Sequence, residues 1–372
     1  MKNKTFMIGL FLYLSVLLPL SMRGQNFARI DSIAMHAPPM ATRSLSDLAA
    51  YCQANAHSDL EIVRFYFVWV ARNIRYDERA AMMTTINFDA RRQSPQFVFR
   101  SQKAICTGYS RLMEHLCKLS NIPILYVAGY GRGETYADSI ETHAWNVVRV
   151  NGEWGLIDAT WASNTLAKDS SELNIEFERY FMGISYEFQK GHLPYDPVFQ
   201  LTKDLIKRYE FFKNKVQYTE GVESKTPDED FTTILNRDYR LDSMSFTIQS
   251  HRRGLSFMPE DTNIVIKLRG ALKEKQHGIL TNAHEVLLDY SNSAEKQLTT
   301  LSIYTLRDWS NRFGELSELL KSALDINAEI ISLETVDEKI AEAKLTQKQI
   351  FDLIGYFSQS WNQVKDAISK RN

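Results

Sequence analysis

The chain has 372 residues, 44% hydrophobic and 24% charged, a globular balance sufficient for one or two cored domains. Lys+Arg number 44 against 45 Asp+Glu, a formal net charge of −1. No global field therefore favours nucleic acid or an anionic membrane, and any binding preference has to come from a local site.

Lys2 and Lys4 precede an apolar run from Phe6 to Leu20, and no acidic residue comes before Asp31. The run is shorter than the about 20 residues that cross a bilayer and matches the h-region of a secretory signal. Residues 1–24 are read as a signal peptide, and a periplasmic or extracellular location is expected; an uncleaved anchor is the alternative. Cys52, Cys106 and Cys117 are too few for a disulfide framework and leave one cysteine over. A Cys52–Cys117 pair would leave Cys106 free, although spacing alone does not establish it.

Ser44 to Ala56 and Asp59 to Arg75 carry helical apolar spacing. The second does so through Leu60, Val63, Phe67, Val70 and Ile74, with Asp59 as its expected N-cap. Arg75 to Phe99 reads as loops. A helix begins near Cys106, aligns Tyr109, Leu112, Met113, Leu116 and Leu119, and ends at Asn121 and Pro123. Ile124 to Tyr130 reads as a strand, and Gly129, Gly131 and Gly133 as a flexible loop after it. Asn151-Gly152 is a hairpin-turn signal between strands His143 to Val150 and Glu153 to Thr160. Leu173 to Phe199, rich in aromatics and turn residues, is expected to wrap back onto the core. After Pro259 there is no proline. Glu315 to Ile331 has helical periodicity, and Ile350, Ile354, Phe357, Trp361, Val364 and Ile368 form a coiled-coil-like seam. Residues 228–372 are read as a mainly helical module, ambiguous between Arg240 and Tyr290, and residues 25–220 as a separate domain.

The chemistry gathers in that first domain. A nucleophilic cysteine acts as its thiolate, which a helix N-terminus favours through orphan N–H groups and the macrodipole; Cys106 stands at such a position. A base held by a third group completes the arrangement. With a two-residue turn at 151–152, Val150 faces Glu153, so His143 and Asp158 fall on one sheet face as diagonal neighbours, about 7–8 Å apart at the backbone. Asp158 can then fix one imidazole nitrogen of His143 and leave the other for Cys106. Singly, each residue has a blander role: a core thiol, a hydrogen-bonded strand histidine, a turn aspartate. His192 is the runner-up functional histidine, with a structural role favoured. No His-Glu-x-x-His and no zinc-spaced Cys or His pair occurs, so neither a metal nor a cofactor is expected.

The segment Ala104 to Ser163 resembles the core of the transglutaminase-like superfamily. Ala104 to Ser110 is similar to its nucleophile motif, with Ala104 where glycine is usual. Thr142-His143-Ala144-Trp145-Asn146 is similar to its histidine strand, and Leu156 to Trp161 to its aspartate strand. Upstream, Trp69 to Asp77 resembles the helix end that precedes the core. Downstream, Tyr180-Phe181 and His192-Leu193-Pro194 resemble a subgroup that includes kyphoscoliosis peptidase and cytokinesis-type proteins. The resemblance implies an α+β, papain-like core, a Cys-led helix packed on an antiparallel sheet, with Cys106 as nucleophile, His143 as general base and Asp158 as its orienter. The second oxyanion donor is unassigned: Gln96 and Gln102 lie upstream but on no matching motif. The expected function is cysteine-dependent acyl transfer on protein or peptide amides, hydrolysis favoured over crosslinking. The alternative is a silent scaffold whose helical module recruits a protein partner.

Overall fold

Ser58 starts the central helix of the fold by accepting the N–H of Glu61 on its hydroxyl at 3.3 Å, so Ser58, and not Asp59, is the cap. The structure is a computed structural model. It describes residues 26–83, 89–132, 140–166, 173, 175–183, 188–202, 205–213, 230–294 and 301–371. The expected signal peptide and Gly133 lie outside them. The chain divides into two units, Met1–Tyr239 and Arg240–Asn372.

In the first unit, α1 (Ala28–Met35) and α2 (Leu45–Asn55) pack with the central α3 (Asp59–Asn73). From Phe65 to Ala71 every residue of α3 is buried, which explains why its apolar residues are not confined to one stripe. Arg64, 1% exposed, is the charged exception. Its guanidinium holds Asp31 at 2.7 Å and Glu178 at 2.5 Å and lies over the rings of Phe27 and Phe181.

The stretch expected to be loop is instead short structure: β1 (Arg75–Tyr76), α4 (Glu78–Ala81), a 3₁₀ turn at Ala90–Gln93, α5 (Pro95–Ser101) and β2 (Lys103–Ala104). Their caps are local and polar, Asp77 at Ala80 and Asp89 at Arg91, so no long apolar period announces them. β1 and β2 pair in parallel, with Tyr76 beside Ala104. Next comes α6 (Cys106–Leu119).

β3 (Ile124–Arg132), β4 (Ile140–Val150), β5 (Glu153–Ile157), β6 (Phe181–Gly183) and β7 (His192–Pro194) form one antiparallel sheet in the order β6-β5-β4-β3-β7. The aromatic stretch thus returns to the core by supplying both edge strands. The β4–β5 hairpin has the expected register, Val150 opposite Glu153 through Asn146 opposite Ile157, and Asn151 and Gly152 both take positive φ, 53° and 90°. Two expectations fail here. β3 runs past the expected end at Tyr130 to Arg132, so Gly131 lies within the strand and not in a loop. β5 stops at Ile157 because Asp158 leaves the ladder to cap α7 (Ala159–Thr165), accepting the N–H groups of Thr160 and Trp161. Short α8 (Ile175–Glu178), a 3₁₀ turn at Pro197–Gln200, α9 (Arg208–Phe212) and α10 (Phe231–Asp238) complete the described elements of this unit.

The second unit is helical: α11 (Ser243–Phe257), α12 (Thr262–Ala294), α13 (Ile303–Ser332) and α14 (Asp337–Ser369). The ambiguous 240–290 region resolves into α11 and most of α12. The seam on α14 is core: Ile350, Phe357 and Val364 are buried, with Ile354, Trp361 and Ile368 packed beside them. The architecture is α+β followed by a helical unit. No helix of the described residues is long and apolar enough to cross a membrane.

Candidate active site

Alternation along β4 separates two faces. Asn146 reaches α6, donating its side-chain amide to the Ser110 carbonyl at 3.1 Å, so His143 and Trp145 stand on the opposite face. Because β5 ends at Ile157, β4 has no β5 partner beyond Asn146. The N-terminus of α6 lies in the space so left, and the Ala144 N–H donates to the Cys106 sulfur. Ending β5 early therefore frees a backbone donor for the thiol and turns Asp158 toward His143.

The structure brings the three expected residues together. His143 Nε2 lies 2.8 Å from Asp158 Oδ2, and the ring is also hydrogen-bonded to Cys106, which leaves Nδ1 as the atom facing the sulfur. Cys106 and His143 are each 8% exposed and Asp158 1%. Burial pushes the Cys106 thiol up, but the hydrogen bond and charge of His143 and the Ala144 N–H outweigh it, and its pKa is lowered. Burial pulls His143 down, yet the Asp158 charge and hydrogen bond, with Cys106, raise it to about 10. Burial likewise opposes ionisation of Asp158, but His143 and His192 hold it well below the usual carboxylate range. These shifts all favour the charged forms, a thiolate beside an imidazolium backed by a carboxylate. The other thiols are different: burial pushes Cys52 up to about 12 and Cys117 higher still, and both are free.

Cys106 opens α6 with no side-chain cap and no acid in the first turn. Its N–H has no acceptor among the described residues, so it is available to an oxyanion. The loop before it is held by Gln93, 3% exposed, whose Oε1 accepts the Ile105 N–H at 3.1 Å. Gln93 is thus the upstream glutamine that reaches the nucleophile loop; Gln96 and Gln102 are exposed. Sequence reasoning also passed over Tyr76. The β1–β2 pairing sets it two residues before the nucleophile. It is 37% exposed; partial desolvation, followed by the charges of Cys106 and Glu141, raises its pKa and keeps the phenol protonated. Its signal was present: Tyr76 sits within the Trp69 to Asp77 segment, where it carried no assigned role.

His192 is also more than structural filler. Its Nε2 lies 3.0 Å from the same Asp158 Oδ2. His143, Asp158 and His192 offer three donor atoms within 4.8 Å of one another. The 2.8 and 3.0 Å separations are hydrogen-bond distances, and the atoms a metal would use are already engaged. These residues need no ion to account for them.

A cysteine leading a helix, a histidine on the neighbouring strand and an aspartate ending the next define a cysteine–histidine–aspartate site on a papain-like α+β core. Residues 46–159 match the family model of the transglutaminase-like superfamily, and this part of the chain is a transglutaminase-like domain. Human kyphoscoliosis peptidase is 30% identical over 232 residues, 60% of this chain and 34% of its own length. The Lim and transglutaminase domain protein of Caenorhabditis elegans is 26% identical over 193 residues, 47% of this chain and 26% of its own. The chain thus spans about a third or less of these relatives' length. A solved TGase structure aligns over 45% of this chain and 42% of that one at 19% identity, with a TM-score of 0.27, a likeness too slight to argue from.

Proposed function

We propose that the first unit is an exported cysteine-dependent acyl-transfer enzyme acting on protein or peptide amides, with hydrolysis as its outcome. One observation carries the reading: the imidazole of His143 is hydrogen-bonded to Cys106 and, through Nε2, to the buried Asp158. The Cys106 thiolate attacks an amide carbonyl carbon. The oxyanion that forms accepts the Cys106 N–H and the phenolic O–H of Tyr76. The His143 imidazolium gives its Nδ1 proton to the leaving amine, the C–N bond breaks, and a thioester remains. Water, deprotonated by His143, then attacks the thioester and releases the acid and Cys106. Each such group contributes on the order of 10²- to 10⁴-fold. Hydrolysis is favoured because nothing in the described site marks a pocket for an acceptor amine, and the human relative is named a peptidase.

A second reading rests on exposure. With Cys106 and His143 each 8% exposed, the domain could serve as a silent scaffold whose helical unit holds a protein partner. Peptide-library cleavage read by mass spectrometry, with and without a labelled primary amine, separates the readings. Cleavage lost in Cys106→Ala supports the hydrolase, amine incorporation would shift the assignment to crosslinking, and neither reaction would leave the scaffold. Export is tested by fractionating the producing cells and sequencing the N-terminus of the mature protein. An N-terminus at Gln25 outside the cytoplasm is expected, whereas Met1 retained in the cytoplasm would refute it.

A further inference from the structure

His192 presents an accounting problem. It is 2% exposed, and both of its ring nitrogens face acceptors. Nε2 is 3.0 Å from Asp158 Oδ2, and Nδ1 is 2.9 Å from the carbonyl oxygen of Phe188. Neither acceptor has a proton to give. The carbonyl never does, and the carboxylate already takes His143 on the same oxygen and the Thr160 and Trp161 N–H groups on the other. A neutral imidazole has one N–H and can satisfy only one contact; an imidazolium satisfies both.

The surroundings suit a cation. The ring stacks face to face on Phe188 with centroids 4.0 Å apart, and tilted Trp161 and edge-on Trp145 lie 4.1 and 4.9 Å away, so at least one π face is turned to it. The titratable groups facing it are Asp158 at the end of β5, His143 on β4 with centroids 5.5 Å apart, and Tyr180 at 6.4 Å. Cys106 stands beyond His143. Thiolate, imidazolium and carboxylate alone leave the buried site with a net negative charge, which a second imidazolium cancels. Burial, with His143 adding to it, lowers the pKa of His192 on balance against the pull of Asp158 and the Phe188 carbonyl; the two acceptors at hydrogen-bond distance from its two ring nitrogens favour the charged form instead.

We propose that His192 is a buried imidazolium that positions Asp158 and, as a second cation beside the pair, sets the pH range over which Cys106 and His143 stay ionised. This rests on the acyl-transfer reading of the site. Its role is to tune, since it touches Asp158 and not the reacting atoms.

Two measurements on the full-length protein test it. In nitrogen-15 spectra of histidine-labelled protein at neutral pH, the two ring nitrogens of His192, assigned by comparison with His192→Gln, should both have protonated shifts. One unprotonated nitrogen would overturn the proposal. The rate of Cys106 alkylation by iodoacetamide is then followed against pH. Losing a neighbouring cation in His192→Gln should move the limb where His143 deprotonates up by roughly one unit, and the limb where Cys106 ionises in the same direction. A neutral His192 would leave the Cys106 limb in place. If the variant does not fold, the wild-type spectrum decides alone, with His192 assigned through its ring couplings. Ordinary-thiol kinetics in both proteins would instead sink the acyl-transfer reading, and the spectrum would still report the charge.

Discussion

Replacing Gly131 by alanine puts a methyl group where the site has no room. A Cβ there would lie 2.9 Å from His143 Cβ, 3.1 Å from its Cγ and 2.9 Å from Trp161 Cζ2. Carbon atoms settle at about 3.5–4.0 Å, so the imidazole or the indole has to move by about 0.5–1 Å. Neither retreats freely, because the histidine ring is stacked on Trp161 with centroids 4.8 Å apart and bonded to Asp158. Overpacking of this kind costs about 1–3 kcal/mol of stability. A reacting group misplaced by about 1 Å loses on the order of 10²-fold, so Cys106 alkylation at neutral pH should slow by roughly 10- to 100-fold. Gly152→Ala is the control. Its φ of +90° strains any side chain, but the added atom meets nothing within 4 Å, so it should lower stability by about 1–2 kcal/mol and leave alkylation unchanged. Thermal unfolding and labelling kinetics of both variants give the comparison. Wild-type labelling in Gly131→Ala would refute the claim that the glycine holds His143 against Trp161.

Removing Arg64 should be severe. Arg64→Ala leaves Asp31, 7% exposed, without its partner, and a urea titration should show a loss of about 3–5 kcal/mol; a loss under 1 kcal/mol would mean that Asp31 does not depend on the pair. Asp158, depressed below its ordinary 3.8, binds fewer protons folded than unfolded. It contributes stability that is present above that value and lost as pH falls through the folded pKa. Unfolding free energies measured below pH 4 should therefore fall less steeply in Asp158→Asn than in wild type; equal slopes would contradict the shift. In the helical unit, a Cβ on Gly270 of α12 meets nothing within 4 Å. Gly270→Ala should therefore raise stability by about 0.5–1 kcal/mol, and a drop in melting temperature would expose a contact that the helix surface does not show.

The hairpin register was legible because Asn151-Gly152 admits few turn types, and one turn fixes every opposed pair back to Asn146. The nucleophile helix was legible because Tyr109 to Leu119 keeps one apolar period. What escaped the sequence was governed by contacts between distant segments. Gly131 read as a loop residue because glycine is locally a breaker, whereas in the sheet it makes room for His143 and Trp161. The end of β5 at Ile157 depends on Asp158 preferring the two N–H groups of α7 to the ladder. Tyr76 and Gln93 reach the nucleophile loop through the β1–β2 pairing and one side-chain hydrogen bond, neither of which leaves a period. His192 looked structural because its tie to Asp158 spans 34 residues.

The central claim is that Cys106 and His143 form an assembled ion pair, and the pH dependence of iodoacetamide alkylation, wild type beside His143→Ala, tests it most directly. Cys52 and Cys117 are fully buried with raised pKa values, so labelling of the folded protein reports Cys106. Fast labelling that persists well below the free-thiol pKa of about 8.5, and disappears in the variant, is the predicted result. Slow labelling that titrates like a free thiol and ignores the substitution would contradict the account.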